Sequence, residues 1–304
     1  MDTSWKGSFG GAVGRKGELA PELCPVCDSE ATRWHSIKGY PIDECRRCHH
    51  RFVPGVRTIQ HVRETFDDSY FSDGGAGYPG YLREGEILRE RGHRYARIVA
   101  RYIPAGRMLD VGCAAGFILR GFLDCGWSGR GLEPNRGMVE LGRRSGLDLE
   151  CGILEDYRSD EQFDLITMLQ SMMHFYDLRR ACERAADLTR PGGFWLIEAF
   201  NPRSLTARLM GKQWHDYNPP SVLHWFSLEV LRLLLAGFGL HQIAGGRAPK
   251  SISTAHAKSV LNFKFGGSSG LRRALLSVFS AIPDTLAVPY PGDDIYWALL
   301  RKRS

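Results

Sequence analysis

Four cysteines stand in two Cys-x-x-Cys pairs, Cys24-Pro25-Val26-Cys27 and Cys45-Arg46-Arg47-Cys48, with seventeen residues between them. Two turns of this kind bring four thiolates to one tetrahedral zinc ion, and a closed four-thiolate site leaves no position for water or substrate. The expected metal is therefore structural and holds a small ribbon together. His49 and His50 follow directly and are able to replace a thiolate, but four thiolates at this spacing leave no need for it. Cys113, Cys125, Cys151 and Cys182 read as small buried residues, since none has the neighbours that activate a nucleophile.

A second chemistry lies in Leu109-Asp110-Val111-Gly112-Cys113-Ala114-Ala115-Gly116-Phe117, where an apolar strand runs through tiny residues into a helix. Gly112 and Gly116 lack a Cβ and allow the close backbone approach that a nucleotide-like ligand needs, while Ala114 and Ala115 keep the path open. A dinucleotide fingerprint requires glycine where Ala114 and Phe117 stand, and no Lys-Ser or Lys-Thr follows to hold a triphosphate, so NAD, FAD and P-loop chemistry are disfavoured. Glu133 closes the next strand, seventeen residues after Gly116, where a carboxylate accepts hydrogen bonds from both ribose hydroxyls.

Taken in order, Asp110-Val-Gly-Cys-Ala-Ala-Gly, Glu133-Pro134-Asn135, Phe163-Asp164-Leu165-Ile166-Thr167-Met168 and Arg190-Pro191-Gly192-Gly193-Phe194 resemble the motifs of class I S-adenosylmethionine-dependent methyltransferases. The resemblance covers 84–247 and resumes at 293–302. It implies that Asp110 and the backbone of Gly112 and Gly116 hold the amino acid end of the cofactor, with Cys113, Ala114 and Phe117 in the same turn. It gives Glu133 the ribose role, with Pro134 beside it. It places Ile153 and Leu154 against the adenine and Leu169 and Gln170 at main-chain contacts just past the fourth strand. The chain departs from the family at Ala114, where many members have a third glycine. Asp164 is expected to orient a loop and to take no part in the chemistry.

Methyl transfer from a sulfonium relies on alignment and exclusion of water, and an oxygen or carbon acceptor must also lose a proton. A histidine suits that task. His174 follows the fourth strand where relatives often carry a Glu-His pair; Met173 replaces the Glu. His224 lies in a segment similar to one in methyltransferases of sugar and polysaccharide pathways. His215 and Tyr217 share its insertion and are further acceptor-side candidates.

Around these residues, helical and strand periodicities alternate: a helix over 84–103, strand 107–111, helix 116–125, strand 128–132, helix 135–145, strand 147–151, strand 163–168, helix 178–188 and strand 193–199. Helix 227–236, strand 239–245 and strand 294–301 complete the pattern. Such alternation predicts an α/β fold, a doubly wound, mostly parallel seven-stranded sheet of Rossmann-like type, with ligands beyond the strand ends. The expected organisation is a disordered lead-in over 1–22, a zinc ribbon over 23–54 and a linker over 55–83. A methyltransferase domain then fills 84–304, with insertions at 201–226 and 248–291. The linker aromatics Tyr70, Phe71 and Tyr78 read mostly as packing, with Tyr81 the one expected to approach the cofactor; Asp73-Gly74-Gly75-Ala76-Gly77 reads as a flexible point. The first insertion is a natural substrate cover. In the second, 271–286 reads as an amphipathic helix that packs on the domain, or else touches a membrane or second subunit.

The 304 residues are 43% apolar, enough for a sizeable core, and the net charge of +6 is too mild and scattered to demand nucleic acid. No apolar run suits a signal peptide or membrane span, so a cytoplasmic protein is expected. The function that follows is methylation, with S-adenosylmethionine and structural zinc as cofactors, of a small molecule such as a sugar or glycan intermediate or a secondary metabolite, at oxygen or carbon. An RNA methyltransferase gripping phosphate through Arg33, Lys38, Arg46, Arg47 and Arg51 is the alternative, and a non-catalytic zinc-ribbon module is a third.

Overall fold

A computed structural model describes residues 22–56, 58–72, 81–254, 287–290 and 292–303. Most of the expected lead-in, the flexible point at 73–77 with Tyr78, and the helix expected at 271–286 lie outside the described residues.

The chain begins with a small sheet of β1 (Ala31–Ile37), β2 (Tyr40–Cys45) and β3 (Arg51–Phe52). Two short helices, α1 (Ile59–Thr65) and α2 (Ser69–Ser72), lead to α3 (Gly85–Val99). Alternation then follows with β4 (Arg107–Val111), α4 (Phe117–Asp124), β5 (Ser128–Glu133), α5 (Arg136–Arg144), β6 (Leu149–Cys151), β7 (Phe163–Leu169), α6 (Leu178–Leu188) and β8 (Thr189–Phe200). After β8 come α7 (Leu205–Met210), β9 (His224–Trp225), α8 (Leu228–Ala236), β10 (Leu240–Arg247), the short pair β11 (Ser251–Ser253) and β12 (Ala287–Pro289), and β13 (Ile295–Lys302).

The main sheet has seven strands in the order β10-β13-β8-β7-β4-β5-β6. Only β13 runs against its neighbours, β8 and β10. Runs such as Met108-Leu109 and Trp195-Leu196-Ile197 are fully buried because helices cover both faces of the parallel part. From β4 the chain steps to β5 and β6 on one side, then returns to β7 and β8 on the other. That reversal opens a crevice beyond the carboxyl ends of β4 and β7. The elements match the expected ones to within a few residues. The largest difference is β8, whose first residue Thr189 pairs with Phe163 while Phe194 pairs with Leu165, so that 190–193 bulge out between them. Asp164 anchors this corner, accepting from Arg107 N at 2.7 Å and Arg190 Nη1 at 2.8 Å.

The ribbon is sewn into the core. Strand β3 pairs with β9, residue Arg51 opposite Trp225 and Phe52 opposite His224, so the small sheet reads β1-β2-β3-β9. Ribbon residues Ile42 and Phe52 share one apolar cluster with Trp225 and Phe226. Arg51 sits at the seam: its guanidinium lies 3.9 Å from the Trp34 ring, donates to Glu44 Oε2 at 2.6 Å and bonds the Tyr217 hydroxyl. Lys38 donates to Asn218 Oδ1 at 2.5 Å, and Arg179 on α6 reaches the Pro25 carbonyl at 2.7 Å beside the first cysteine pair. The boundary expected at residue 54 is thus crossed by strand pairing, side-chain bonds and shared core.

Arg51→Ala removes a stacked cation and two hydrogen bonds from this seam and is expected to cost about 2 kcal/mol, lowering the unfolding midpoint by a few degrees. Thermal denaturation of the variant beside wild type checks this; an unchanged midpoint would show that the seam contributes no stability.

Candidate active site

The crevice between β4 and β7 opens into a cavity of about 370 Å³. Its floor is the turn after β4. Gly112 has φ +72, and a Cβ there would meet the Ser171 Cβ at 2.6 Å, so the closeness of this turn to the end of β7 requires glycine. Ala114, at the place of the family's third glycine, holds φ +47, a left-handed conformation that explains why glycine is common there. Gly112, Cys113 and Ala114 line the cavity. Gly116 and Phe117 do not: Gly116 caps α4 at φ +79 against Leu147, and Phe117 packs on the Tyr81 ring at 5.4 Å, so their part is to shape the turn.

Of the carboxylates that line this space, two stand beside the turn after β4. Glu133 takes Ala114 N on Oε2 and Asn135 N on Oε1, both at 2.9 Å, leaving a lone pair on each oxygen for a diol. Asp110 accepts the Thr167 hydroxyl at 2.6 Å. Burial raises both groups to about 7, against the bonds from Asn135, Ala114 and Thr167 that lower them. Pro134, Ile153 and Leu154 continue the wall on the β5–β6 side, and Leu169 and Gln170 close it at β7. The linker covers it. Tyr81 lines the cavity and donates to the Cys113 carbonyl at 3.4 Å, and Tyr70 and Phe71 line it as well, beyond the bracing role expected of them. Asn135 Nδ2 ties this cover to the core through the Phe66 carbonyl at 3.1 Å.

A buried ion pair went unforeseen in the sequence. Arg91 on α3 lines the cavity and pairs with the fully buried Glu198 of β8, which also takes Gln170 Nε2 at 2.6 Å and the Tyr95 hydroxyl. The signal was present: Arg91 falls on the apolar stripe of Leu88, Tyr95 and Val99, where a charge requires a buried partner.

On the remaining wall the four acceptor-side candidates separate. His174 lines the cavity with Nδ1 2.5 Å from the Ser221 carbonyl; a carbonyl only accepts, so Nδ1 carries the proton. Burial lowers its pKa to about 4 although the Ser221 and Gln170 carbonyls raise it, so the ring is neutral near pH 7. His215 also lines the cavity, beside Asp216 and Tyr290, whose hydroxyl is 3.3 Å from its Nε2. His224 and Tyr217 do not line it. Pairing of β9 with β3 draws His224 into the seam, where it stacks on Phe226 and His50, its Nδ1 3.2 Å from His50 Nε2 and its Nε2 2.9 Å from the Phe175 carbonyl. Tyr217 turns to Arg51 and the rings of Trp214 and Trp225.

A family model described as a methyltransferase domain matches residues 87–244, more than half of the chain, including the strands β4 to β8 and the turns that follow β4, β5 and β7. The chain belongs to this methyltransferase family. Among curated relatives, ubiquinone biosynthesis O-methyltransferases from Bradyrhizobium sp. and Alkalilimnicola ehrlichii are 27% identical over 128 residues and 28% over 158. The match covers 39% and 44% of the chain but only 47% and 63% of those relatives, less than two thirds of their length. The fold is shared with the methyltransferase in complex with the Trm112 activator from Haloferax volcanii, at 16% identity and TM-score 0.53 over 74% of this chain and 95% of that one. It is also shared with magnesium protoporphyrin IX methyltransferase from Synechocystis, at 11% identity and TM-score 0.51 over 81% of this chain and all of that one.

The methyltransferase carries its four ribbon thiols as one cluster. Cys24 Sγ is 3.6 Å from Cys48 Sγ and Cys27 Sγ 3.5 Å from Cys45 Sγ, near the roughly 3.8 Å edge of a tetrahedron with 2.3 Å metal–sulfur bonds. Val26 N points at Cys24 Sγ, and Arg47 N and Cys48 N at Cys45 Sγ, each at 3.4 Å, donors that suit thiolates. The donor set fits a structural zinc. Of the other cysteines, Cys113 and Cys182 are buried as expected, whereas Cys125 and Cys151 are exposed, because one follows the end of α4 and the other ends the edge strand β6.

A carboxyl whose folded pKa is raised stabilises the fold below its unfolded pKa, near 4, and loses that contribution as pH rises through about 7. The ligand-free methyltransferase is therefore expected to melt at a lower temperature at pH 8 than at pH 5.5. Glu133→Gln should flatten that slope; a slope equal to wild type would contradict a Glu133 that titrates near neutrality.

Proposed function

We propose that the methyltransferase moves the methyl group of S-adenosylmethionine to a hydroxyl oxygen of a small molecule. The observation that carries this reading is one cavity lined both by Glu133, which holds a lone pair on each oxygen beside the glycine turn, and by a neutral His174 whose Nδ1 proton is held by Ser221. Glu133 receives the ribose, Ile153 and Leu154 lie against the adenine, and Arg91, held by Glu198, faces the amino acid carboxylate. The bound cofactor supplies an electrophilic methyl on a sulfonium. The aromatic cover of Phe66, Tyr70, Phe71 and Tyr81 excludes water, and positioning provides most of the acceleration. His174 takes the hydroxyl proton on Nε2, with Nδ1–H held by Ser221. The name of the curated relatives supports oxygen as the acceptor atom. His215, Asp216 and Asn218 form a polar strip that suits a sugar ring as well as a hydroxylated aromatic.

The RNA alternative gains no support from the ribbon. Arg33 pairs with Asp43 at 2.6 Å, Arg46 with Glu30 at 3.4 Å, Lys38 binds Asn218 and Arg51 is stacked in the seam, so four of the five proposed phosphate contacts are engaged within the fold. No helix among the described residues is long and apolar enough to cross a membrane.

Labelled methyl transfer to hydroxylated aromatic acids, nucleotide sugars and total RNA tests the reading. His174→Gln is expected to lower turnover on the accepted compound about 100-fold while S-adenosylhomocysteine affinity stays within about threefold; unchanged turnover would remove His174 from the chemistry. One zinc per chain is expected by elemental analysis and none in Cys45→Ser. Its loss should raise hydrogen exchange across 222–226 more than across 109–117, and equal exchange in both would contradict a metal-held seam.

A further inference from the structure

Lys250 lies in the short turn between β10 and β11, outside the sheet motifs that carry the family resemblance, and it lines the same cavity as Arg91 and Glu133. Two bonds fix this turn against the far end of the crevice. Arg94, three residues along α3 from Arg91, donates from Nη1 to Ser251 Oγ at 3.1 Å, and Tyr290 N donates to the Lys250 carbonyl at 3.0 Å. Lys250 is thereby set beside Arg91, with its ammonium 5.3 Å from the centre of the Tyr290 ring.

Two cations at one end of a half-enclosed cavity repel each other unless an anion lies between them. Glu198 does not serve both. Its Oε1 is taken by Arg91 and Gln170 and its Oε2 by Tyr95, and among the described residues Lys250 makes no salt bridge. Glu198, Asp216 and Glu84 contribute to the field at Lys250 from a distance. Burial and the Arg91 charge lower the Lys250 pKa, the direction expected of an ammonium without a contacting counter-ion. The sheet order then sets the direction of a bound ligand. Glu133 ends β5, Gly112 follows β4, Gln170 follows β7 and Glu198, the partner of Arg91 of α3, belongs to β8, so the cation pair lies at the end opposite the diol-accepting carboxylate.

We infer that Lys250 and Arg91 together form the receiving site for the α-carboxylate of the cofactor's amino acid tail, with the turn before β11 closing over that tail. The inference rests on the cofactor assignment proposed above and assigns Lys250 a positioning role within it.

Calorimetry on the full chain with two ligands tests it: S-adenosylhomocysteine, which has the tail, and 5′-methylthioadenosine, which lacks it. Lys250→Met is expected to weaken S-adenosylhomocysteine about tenfold or more and to leave 5′-methylthioadenosine within about twofold, while Lys250→Arg keeps both near wild type. Unchanged S-adenosylhomocysteine affinity in Lys250→Met, or equal weakening of both ligands, would overturn the inference. Binding of neither ligand by wild type would instead overturn the cofactor assignment, and this inference with it.

Discussion

The buried Glu133 carboxylate is the interaction on which the site depends. It joins the turn after β4 to the turn after β5 by accepting one backbone N–H from each, at Ala114 and Asn135. Asn135 in turn holds the linker through the Phe66 carbonyl and caps α5 through Met138 N. One carboxylate therefore sets the floor, one wall and the cover of the cavity. Burying it carries a desolvation cost, visible in a pKa raised to about 7. A buried group so placed, with a lone pair left on each oxygen, suits a ligand that donates two hydrogen bonds, as the proposed ribose would.

The second constraint is the seam between ribbon and core. Segment 214–226 has two sides: His215, Asp216, Asn218, Ser221 and Val222 look into the cavity, while Trp214, Tyr217 and Trp225 pack toward the ribbon around Arg51. Leu223 bridges them, donating to the Met173 carbonyl next to His174 and accepting from Val53 N of the ribbon, both at 2.9 Å. This wall of the cavity is thus built against the ribbon that carries the four-thiol cluster. A ribbon placed more than fifty residues before the crevice in sequence packs in space behind a segment that lines it.

The part of the cavity wall around the turns after β4, β5 and β7 was legible in the residues because it is local. Gly112, Glu133 and Gln170 sit at strand ends whose periodicity is plain, and a strand end in a parallel sheet already says where a side chain points. The rest of the wall was legible only in part, because it is assembled by contacts distant in the chain. His174 and His215 reach the cavity, whereas β9 pairs with a strand 172 residues earlier and carries His224 into the seam, a pairing no local pattern announces. Arg91 and Glu198 were overlooked for a different reason. Each lies within an apolar stretch and reads as an irregularity there, and only their ion pair, 107 residues apart, turns the two into one feature.

The most direct test is a crystal structure of the full chain with S-adenosylhomocysteine. The account predicts ribose hydroxyls on Glu133, adenine against Ile153 and Leu154, and the amino acid carboxylate at Arg91 and Lys250. A ligand bound in the reverse direction, or outside the crevice between β4 and β7, would contradict it.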